Sequence, residues 1–533
     1  MKIFRLCRPY LSSHKYMLMA YIALMLLSTA TAIAAPYVLG DFIDNLISGA
    51  GVNSILRFSI IFATLSMLRI GNGYITSLMH IKLLNKMSYS LNMDCIRHIH
   101  ALSLSYSTKK DSAYLNQRIN NDAGSLIGFC ISVLQNAAAN LIMLAVVSTI
   151  LAFMHFGMSM IMLGFLFLYA LSYHLFKKHL YKVGMILRER YADYFSRLHE
   201  QLRHIKIIKI NSMQTAMNER AEQSFEDFES AAMTNQKVNY IYNGLDGTIS
   251  TIAQIVLFIV GGIQVLYGNF TIGMFTVFTS YFGMMLSASR YFFTLGAHYQ
   301  TSATAYDRIN EILSHAGESN GNKIIHGVNE IELRNIEFAY EDNADIISDI
   351  DLRLSKGNIY CIAGRNGAGK STLITLLTGM YIDEFRGNIC FDGTDIREID
   401  MIETRKTVIG YAQQEPTLLS DTIRYNLCIT EEPTEYIDLL NMRDFFDRHT
   451  LDFVINEANT NLSGGEKQKL AILKVLCKDS QLMIFDEPTS ALDAESNKRF
   501  IAHLHKIKRD KIIIIVSHDA NLCASCDEVV KFD

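Results

Sequence analysis

The run Gly364, Arg365, Asn366, Gly367, Ala368, Gly369, Lys370, Ser371, Thr372 fits the phosphate-loop spacing GxxxxGK[ST]. Its glycines let backbone amides turn inward onto phosphate oxygens at a helix N-terminus. Lys370 adds a cation for the outer phosphates, and the Ser371 hydroxyl can ligate magnesium. The run stands where that chemistry needs it, directly after the apolar stretch Ile359 to Ile362 and before a helical pattern from Leu373 to Leu377. Further on, Leu482 to Phe485 reads as a buried strand that delivers Asp486 and Glu487 at its end, with Pro488 directly behind. An acidic pair on an ordinary surface would lack that apolar strand. Asp486 can hold a magnesium shell while Glu487 polarises an attacking water. Ile512 to Val516 forms another such strand and places His518 at its end, where an imidazole can contact a terminal phosphate. A lone histidine after a strand would mean little without the other two motifs. In this order they point to hydrolysis of a nucleoside triphosphate.

Just before the carboxylate strand, Leu462-Ser-Gly-Gly-Glu-Lys-Gln468 resembles the signature of ATP-binding cassette (ABC) proteins, and the resemblance extends over essentially the whole chain. It implies that Tyr340 stacks on adenine and that Gln414 is the magnesium-sensing, coupling glutamine. It also implies that Ser490 to Asp493 form the loop that crosses a dimer interface. Ser463, Gly464 and Gly465 would contact the ATP held by a partner's phosphate loop, so each cassette would supply half of two composite sites. Glu466 stands where glutamine is commoner, a variant expected to leave phosphate recognition intact. The segment between Gln414 and Ser463 is shorter than is usual, so its helical subdomain is expected to be trimmed. The sequence stops at Asp533, and part of the usual C-terminal tail is expected to be missing.

Elements able to position these groups follow from length and hydropathy. At 533 residues the chain is too long for one core and should form about two to four domains. Hydrophobic residues make up 50%, and the long apolar runs all precede about residue 300. Runs of about 20 apolar residues, enough to cross a bilayer, lie at 17–39, 55–79, 129–154, 158–176, 248–267 and 273–296. The first follows Lys2, Arg5, Arg8 and Lys15, exceeds a signal-peptide core, and has no obvious cleavage site, so it is expected to be retained. Basic residues are dense in 82–122 (Lys86, Arg97, Lys109, Lys110, Arg118) and 177–243 (Arg188, Arg190, Lys206, Lys209), and absent from the short loops 48–53, 155–157 and 268–271. The positive-inside rule makes the basic stretches and both termini cytoplasmic. With few glycines or prolines, both stretches should be helical extensions whose tips could carry motion from the ATPase half, or simply be solvated charged helices.

Several polar residues interrupt the spans: Arg57, Arg69, Gln135, Asn136, Asn140 and Arg290. They could line a polar cavity or pair between helices. The nine cysteines read as reduced thiols, and Cys523 and Cys526, at CxxC spacing, as two helix-end thiols or, less simply, zinc ligands. A net charge of -4 gives no reason to expect nucleic acid as a partner.

The membrane half also resembles exporters of the ABC family at Tyr114 to Asp122 with Arg118, at Gly273 and Gln300 to Arg308, and at Pro36, Gly40 and Asp44. The expected fold is an α-helical transmembrane domain over 1–318, of about six long helices in the style of type I ABC exporters, plus an α/β P-loop ATPase domain over 319–533. The resemblance implies ATP-driven export across the inner (cytoplasmic) membrane by a half-transporter acting as a dimer, with ATP and Mg2+ as cofactors and the cassette in the cytosol. A homodimer is favoured over a related half-transporter partner, because heterodimers often carry a damaged carboxylate or histidine while Glu487 and His518 are intact. No cysteine peptidase domain precedes the first span, so leader cleavage is not expected. The expected cargo is a peptide of antimicrobial type, with lipid or multidrug efflux as the alternative. A regulatory channel or receptor, or a non-transport ABC ATPase of the DNA-repair kind, are readings of another class; the latter lack membrane spans.

Overall fold

The computed structural model describes residues 2–49, 51–109, 115–116, 118–340, 346–365, 367–456 and 462–532. Asn366, Tyr114 and Lys110 lie outside the described residues. The chain divides into two compact units, Met1–Arg97 with Ser112–Ser314 and His98–Asp111 with His315–Asp533.

The first unit is helical: α1 (Lys2–Ser13), α2 (Lys15–Ile47) and α3 (Val52–His100), then, beyond α4 (Leu104–Lys109), α5 (Arg118–Met154), α6 (Phe156–Arg203), α7 (Ile205–Ile210), α8 (Gln214–Leu266) and α9 (Ile272–Ser314). Six of them, α2, α3, α5, α6, α8 and α9, are long and apolar enough to cross a membrane. At 49, 48 and 53 residues, α3, α6 and α8 run far past the hydrocarbon core and take in most of the two basic stretches. The most apolar window of α3 has no buried share within the chain. A soluble domain could not tolerate such a surface, whereas lipid or neighbouring helices cover it without cost.

Polar groups in the spans mostly find protein partners. Arg290 Nη2 lies 2.8 Å from Asp246 Oδ2, which places Arg290 in an ion pair between α9 and α8. Asn140 Nδ2 donates to Asn136 O at 2.7 Å and Asn136 Nδ2 to Ser132 Oγ at 3.2 Å, both along their own helix. Around them α5 widens into a π-turn at Val133–Ala137, and there Gln135 Oε1 accepts from the Tyr21 hydroxyl, which also meets His80 Nδ1 at 3.0 Å. Arg57 and Arg69 are exposed on α3. Near the starts of α5 and the ends of α9, Arg118 pairs with Glu311 at 2.9 Å and Arg308 with Asp122 at 3.6 Å.

The start of α9 shows why Gly40, Asp44 and Gly273 belong together. A Cβ on Gly273 would collide with the Gly40 carbonyl and the Asp44 carboxyl, and a Cβ on Gly40 with Val277. The two helices can therefore approach closely only because both residues are glycine. Asp44 Oδ1 then accepts from Gly273 N at 2.8 Å and Oδ2 from the Thr271 hydroxyl at 2.6 Å. A carboxylate of α2 thus satisfies an orphan amide at the positive end of α9.

In the second unit, β1 (Glu330–Phe338), β2 (Ile347–Ser355), β4 (Arg386–Phe391) and β5 (Thr394–Asp395) form an antiparallel sheet in the order β2-β1-β4-β5. A parallel sheet runs in the order β6-β7-β8-β3-β9, from β3 (Ile359–Gly364), β6 (Ile409–Ala412), β7 (Leu482–Asp486), β8 (Ile512–Val516) and β9 (Glu528–Phe532). The apolar runs of β7 and β8 are buried throughout because side chains alternate between two cores. Ile484, Ile512 and Ile514 enter one; Met483, Phe485, Ile513 and Ile515 enter the other. Around the sheet lie α10 (Lys370–Leu377), α11 (Met401–Thr407), α12 (Ile423–Leu427), α13 (Thr434–Leu439), α14 (Arg443–Arg448), α15 (Gly464–Lys478), α16 (Ala494–Ile507) and α17 (Ala520–Ala524). The segment 98–111 belongs to this unit: Glu318 N donates to Ala101 O at 2.7 Å, and Leu104 of α4 packs against the core.

One expectation is corrected. Cys361 of β3 and Cys523 of α17 are joined as a disulfide, so they are not free thiols. The sheet brings them together because β3 and the turn into α17 lie side by side, 162 residues apart in sequence. Cys526 instead donates to Leu522 O.

Asp44→Ala should lower stability by about 1–2 kcal/mol, read as an earlier thermal transition in detergent, and Asp44→Asn, which keeps an acceptor, should lose less.

Candidate functional site

Strand register assembles the site. Asp486 lies opposite Val516, and Ala412 opposite Phe485. Continuing each strand by one or two residues sets Gln414, Glu487 and His518 at one edge, the C-terminal edge of the parallel sheet, where open α/β sheets bind ligands. Gln414 Nε2 donates to Glu487 Oε2 at 2.8 Å, and His518 Nδ1 lies 2.9 Å from Glu487 Oε1. Glu487 therefore has a neutral amide on one oxygen and an imidazole on the other.

Its backbone is unusual. Glu487 has φ of 47°, in the left-handed region, between β7 and Pro488. The proline disfavours the right-handed helical conformation for the residue before it, and Glu487 N is held by Val516 O at 2.9 Å. Such strain persists only where neighbours fix it.

The phosphate loop follows β3. Gly367 and Gly369 have φ of 86° and 90°, values that a side chain would resist, and Gly364 sits so close to Phe532 O that a Cβ would overlap it. Ala368 N bonds back to Arg365 O at 3.2 Å. Lys370 is buried, with Nζ donating to Gly364 O and Arg365 O at 2.8 Å each. Ser371 and Thr372 open α10, and the Tyr340 hydroxyl lies 3.2 Å from Thr372 Oγ1 while its ring packs edge-on against Phe338 and Tyr381.

Asp486 is 5% exposed. Burial, and then the neighbouring Glu487 charge, raise its carboxyl above the ordinary range, against Lys370 and hydrogen bonds from Ser371 and Tyr411. Tyr411 is a site residue that the motifs did not reveal. Burial and the same carboxylate push its phenol upward, so it remains a proton donor to Asp486. Its only signal was a phenol in the apolar strand β6, three residues before Gln414. Gly364, Lys370, Ser371, Gln414, Asp486, Glu487 and His518 line one cavity of about 740 Å³, with Tyr411 behind Asp486 and outside the cavity wall.

Ser463, Gly464 and Gly465 do not line that cavity. Ser463 caps α15 in a reciprocal capping box with Glu466, and Ser463 and Gly464 are exposed. Glu466 Oε2 accepts from Ser463 N at 2.7 Å and from its hydroxyl at 2.9 Å, while Oε1 meets Arg448 Nη2 at 3.2 Å. Two further residues have contacts that the motifs did not assign, Gln468 at the end of the signature run and Asn441 outside any motif. Gln468, one turn along α15, is buried with Nε2 donating to Glu487 O at 2.7 Å and Oε1 accepting from the Ser490 hydroxyl at 2.8 Å. Asn441 donates to Asp493, whose carboxyl is held down at about 2, chiefly by the Ser496 backbone amide.

A phosphate loop and a carboxylate strand on a parallel sheet, following a six-span helical unit, define a membrane protein that binds and hydrolyses ATP. The family model described as ABC transporter matches residues 347–490, and that of the ABC transporter transmembrane region matches 18–289, half of the chain; the chain belongs to the ABC transporter family. It is 25% identical, over 98% of its own length and 93% of the relative's, to YgaD of Bacillus subtilis, a protein named for multidrug export and as an ATP-binding/permease protein. It is 26% identical to the lactococcin-G-processing and transport ATP-binding protein LagD of Lactococcus lactis, over 95% of this chain and 73% of that one. Its fold matches the structure of a bacterial Atm1-family ABC exporter with ATP bound, with a TM-score of 0.82 at 19% identity, covering 98% of this chain and 94% of that one. The chain is thus a multi-pass exporter subunit of the cytoplasmic membrane, one membrane region fused to one cytosolic cassette, with ATP hydrolysis coupled to transport and an architecture that implies dimerisation.

Glu466 gives a pH test. Burial raises its carboxyl, but the Ser463 donors and Arg448 outweigh this and the net shift is downward. A folded value below the unfolded one, about 4.3, contributes stability that is present above about pH 4.3 and lost as pH falls through the lower folded value. Glu466→Gln should therefore cost under about 1 kcal/mol at pH 7, since glutamine also completes the capping box. The difference from wild type in thermal midpoint should vanish as pH drops below about 4.

Proposed function

We propose that two copies of this chain form an ATP-driven exporter in which each nucleotide is clasped between the phosphate loop of one copy and Ser463, Gly464 and Gly465 of the other. One observation carries this reading: Ser463 and Gly464 are exposed and Gly465 half-buried at the tip of a capped helix, and all three are absent from the cavity that holds Lys370, Asp486 and Glu487. One chain therefore offers two half-sites that face solvent, and a twofold pair would complete both. Intact Glu487 and His518 favour two identical copies over an unequal pair.

In this reading Glu487 is the general base that orients the attacking water, with Gln414 and His518 fixing its two oxygens. Lys370 and the loop amides hold the phosphates, with Arg365, Asn366 and Thr372 beside them, and Tyr340 stacks on adenine. Ser371 and Asp486 already hydrogen-bond each other and are both oxygen donors, the set that suits Mg2+; Gln414 would complete it. The cation would neutralise phosphate charge as the terminal bond breaks. ATP binds the closed pair more tightly than the open one, and only such a difference can shift the two states.

The cargo we favour is a peptide of antimicrobial type, a reading supported by the likeness to the lactococcin-G transporter. A second reading, lipid or drug efflux, is supported by an apolar cavity of about 560 Å³ lined by Leu26, Ile33, Val146, Ile150 and Tyr281.

Glu487→Gln should keep ATP binding and trap the closed pair while turnover falls by about 100-fold to 10,000-fold. Undiminished turnover in lipid would remove Glu487 from the role of base. In the same vesicles, an amphipathic peptide should stimulate wild-type ATPase and accumulate inside inverted vesicles, and stimulation by fluorescent lipid or dye alone would select the second reading.

A further inference from the structure

Gln468 occupies a place that neither phosphate binding nor water activation explains. It is 6% exposed, and both ends of its amide are used: Nε2 donates to Glu487 O and Oε1 accepts from the Ser490 hydroxyl. The single Ser490 hydroxyl proton, given to Gln468 Oε1 at 2.8 Å, also lies near Glu487 O, with Oγ 3.1 Å away, so the three groups cluster behind the carboxylate. A second tie runs in parallel, from Lys469 Nζ to Asn441 O at 3.4 Å and from Asn441 Nδ2 to Asp493 at 3.3 Å. Consecutive residues of α15 are thus fastened to both ends of the loop Ser490 to Asp493.

The direction of the Glu487 side chain is set by a left-handed backbone that is intrinsically unfavourable for glutamate. Val516 O holds its amide, while its carbonyl accepts its shortest hydrogen bond from Gln468 Nε2, at 2.7 Å, with Ser490 N and Oγ farther off at 3.4 and 3.1 Å. Gly464 and Gln468 lie four residues apart, on one face of a rigid, capped helix. Any displacement of the exposed tip therefore reaches the Glu487 carbonyl without passing through a flexible link.

We infer that Gln468 is a positioning residue that ties the signature end of α15 to the carboxylate of the same chain, so that contact made at Gly464 is reported to Glu487. Where two copies clasp two nucleotides, as proposed above and on which this clause rests, occupancy of one site then sets the geometry of the base at the other. A misplacement of the base of about 1 Å is enough to cost about 100-fold in rate.

The test uses the full chain in lipid nanodiscs with ATP as the only ligand. Gln468→Met keeps length and removes both hydrogen bonds; kcat should fall by about 10-fold to 100-fold, while KM for ATP stays within about twofold and the Hill coefficient for ATP moves toward 1. Ser490→Ala removes one hydrogen bond at an exposed hydroxyl and should lower kcat by about two- to tenfold. The double variant should be no worse than Gln468→Met alone, as expected for groups in one network. ATP binding to Glu487→Gln should be unchanged when Gln468→Met is added. A wild-type kcat in Gln468→Met, or a fall in kcat matched by equal loss of ATP affinity, would overturn the positioning role. A wild-type protein that is active yet monomeric in nanodiscs would remove the dimer reading alone, and the split between kcat and KM would still decide the role of Gln468.

Discussion

Glu487 is where three segments far apart in sequence must agree. Gln414 after β6, His518 after β8 and Gln468 from α15 all hydrogen-bond this one residue, the first two at its carboxylate and the third at its carbonyl. No local preference favours the arrangement, since the backbone there is left-handed and the carboxylate adjoins another, Asp486. What maintains it is the register of three parallel strands whose apolar side chains are buried on both faces. A slip of one residue in β7 would send Phe485 into the wrong core and Glu487 away from both partners. Packing energy in the cores thus fixes the chemistry at the edge.

The membrane half obeys a different solvent. Its helices leave most apolar side chains facing outward and bury mainly the contacts between α5, α6, α8 and α9 around Phe278 and Tyr281. Several polar groups inside find specific partners, as with Arg290 and Asp246 or the Asn72 amide nitrogen, which donates to Leu24 O and Ser28 Oγ. Close approach at Gly40 and Gly273 and capping by Asp44 set the external end of α9. Water-driven burial does little here, so specific contacts carry the specificity.

Much of this was legible before any coordinates. Spans of sufficient length, the phosphate-loop spacing and the strand before Asp486 each state a physical requirement in consecutive residues. Gln468 was legible as the end of the signature run, but its contact, like those of Tyr411 and Asn441, was not, because these come from tertiary neighbours 19, 75 and 52 positions away. The Cys361 to Cys523 pair was missed for the same reason, since spacing within the chain suggested only Cys523 with Cys526. Arg290 could be read from sequence as cavity-lining or paired; only the position of Asp246 on the adjacent helix decides.

The central claim is that ATP completes its site between two chains. The direct measurement is cross-linking in lipid of two populations in the Glu487→Gln background, one carrying Ser463→Cys and the other Arg365→Cys, with the linked peptides identified by mass spectrometry. The account predicts an intermolecular link between those two positions that forms with ATP and is lost without it. Protein that binds ATP fully yet yields no such link, or yields it equally without nucleotide, would contradict the account.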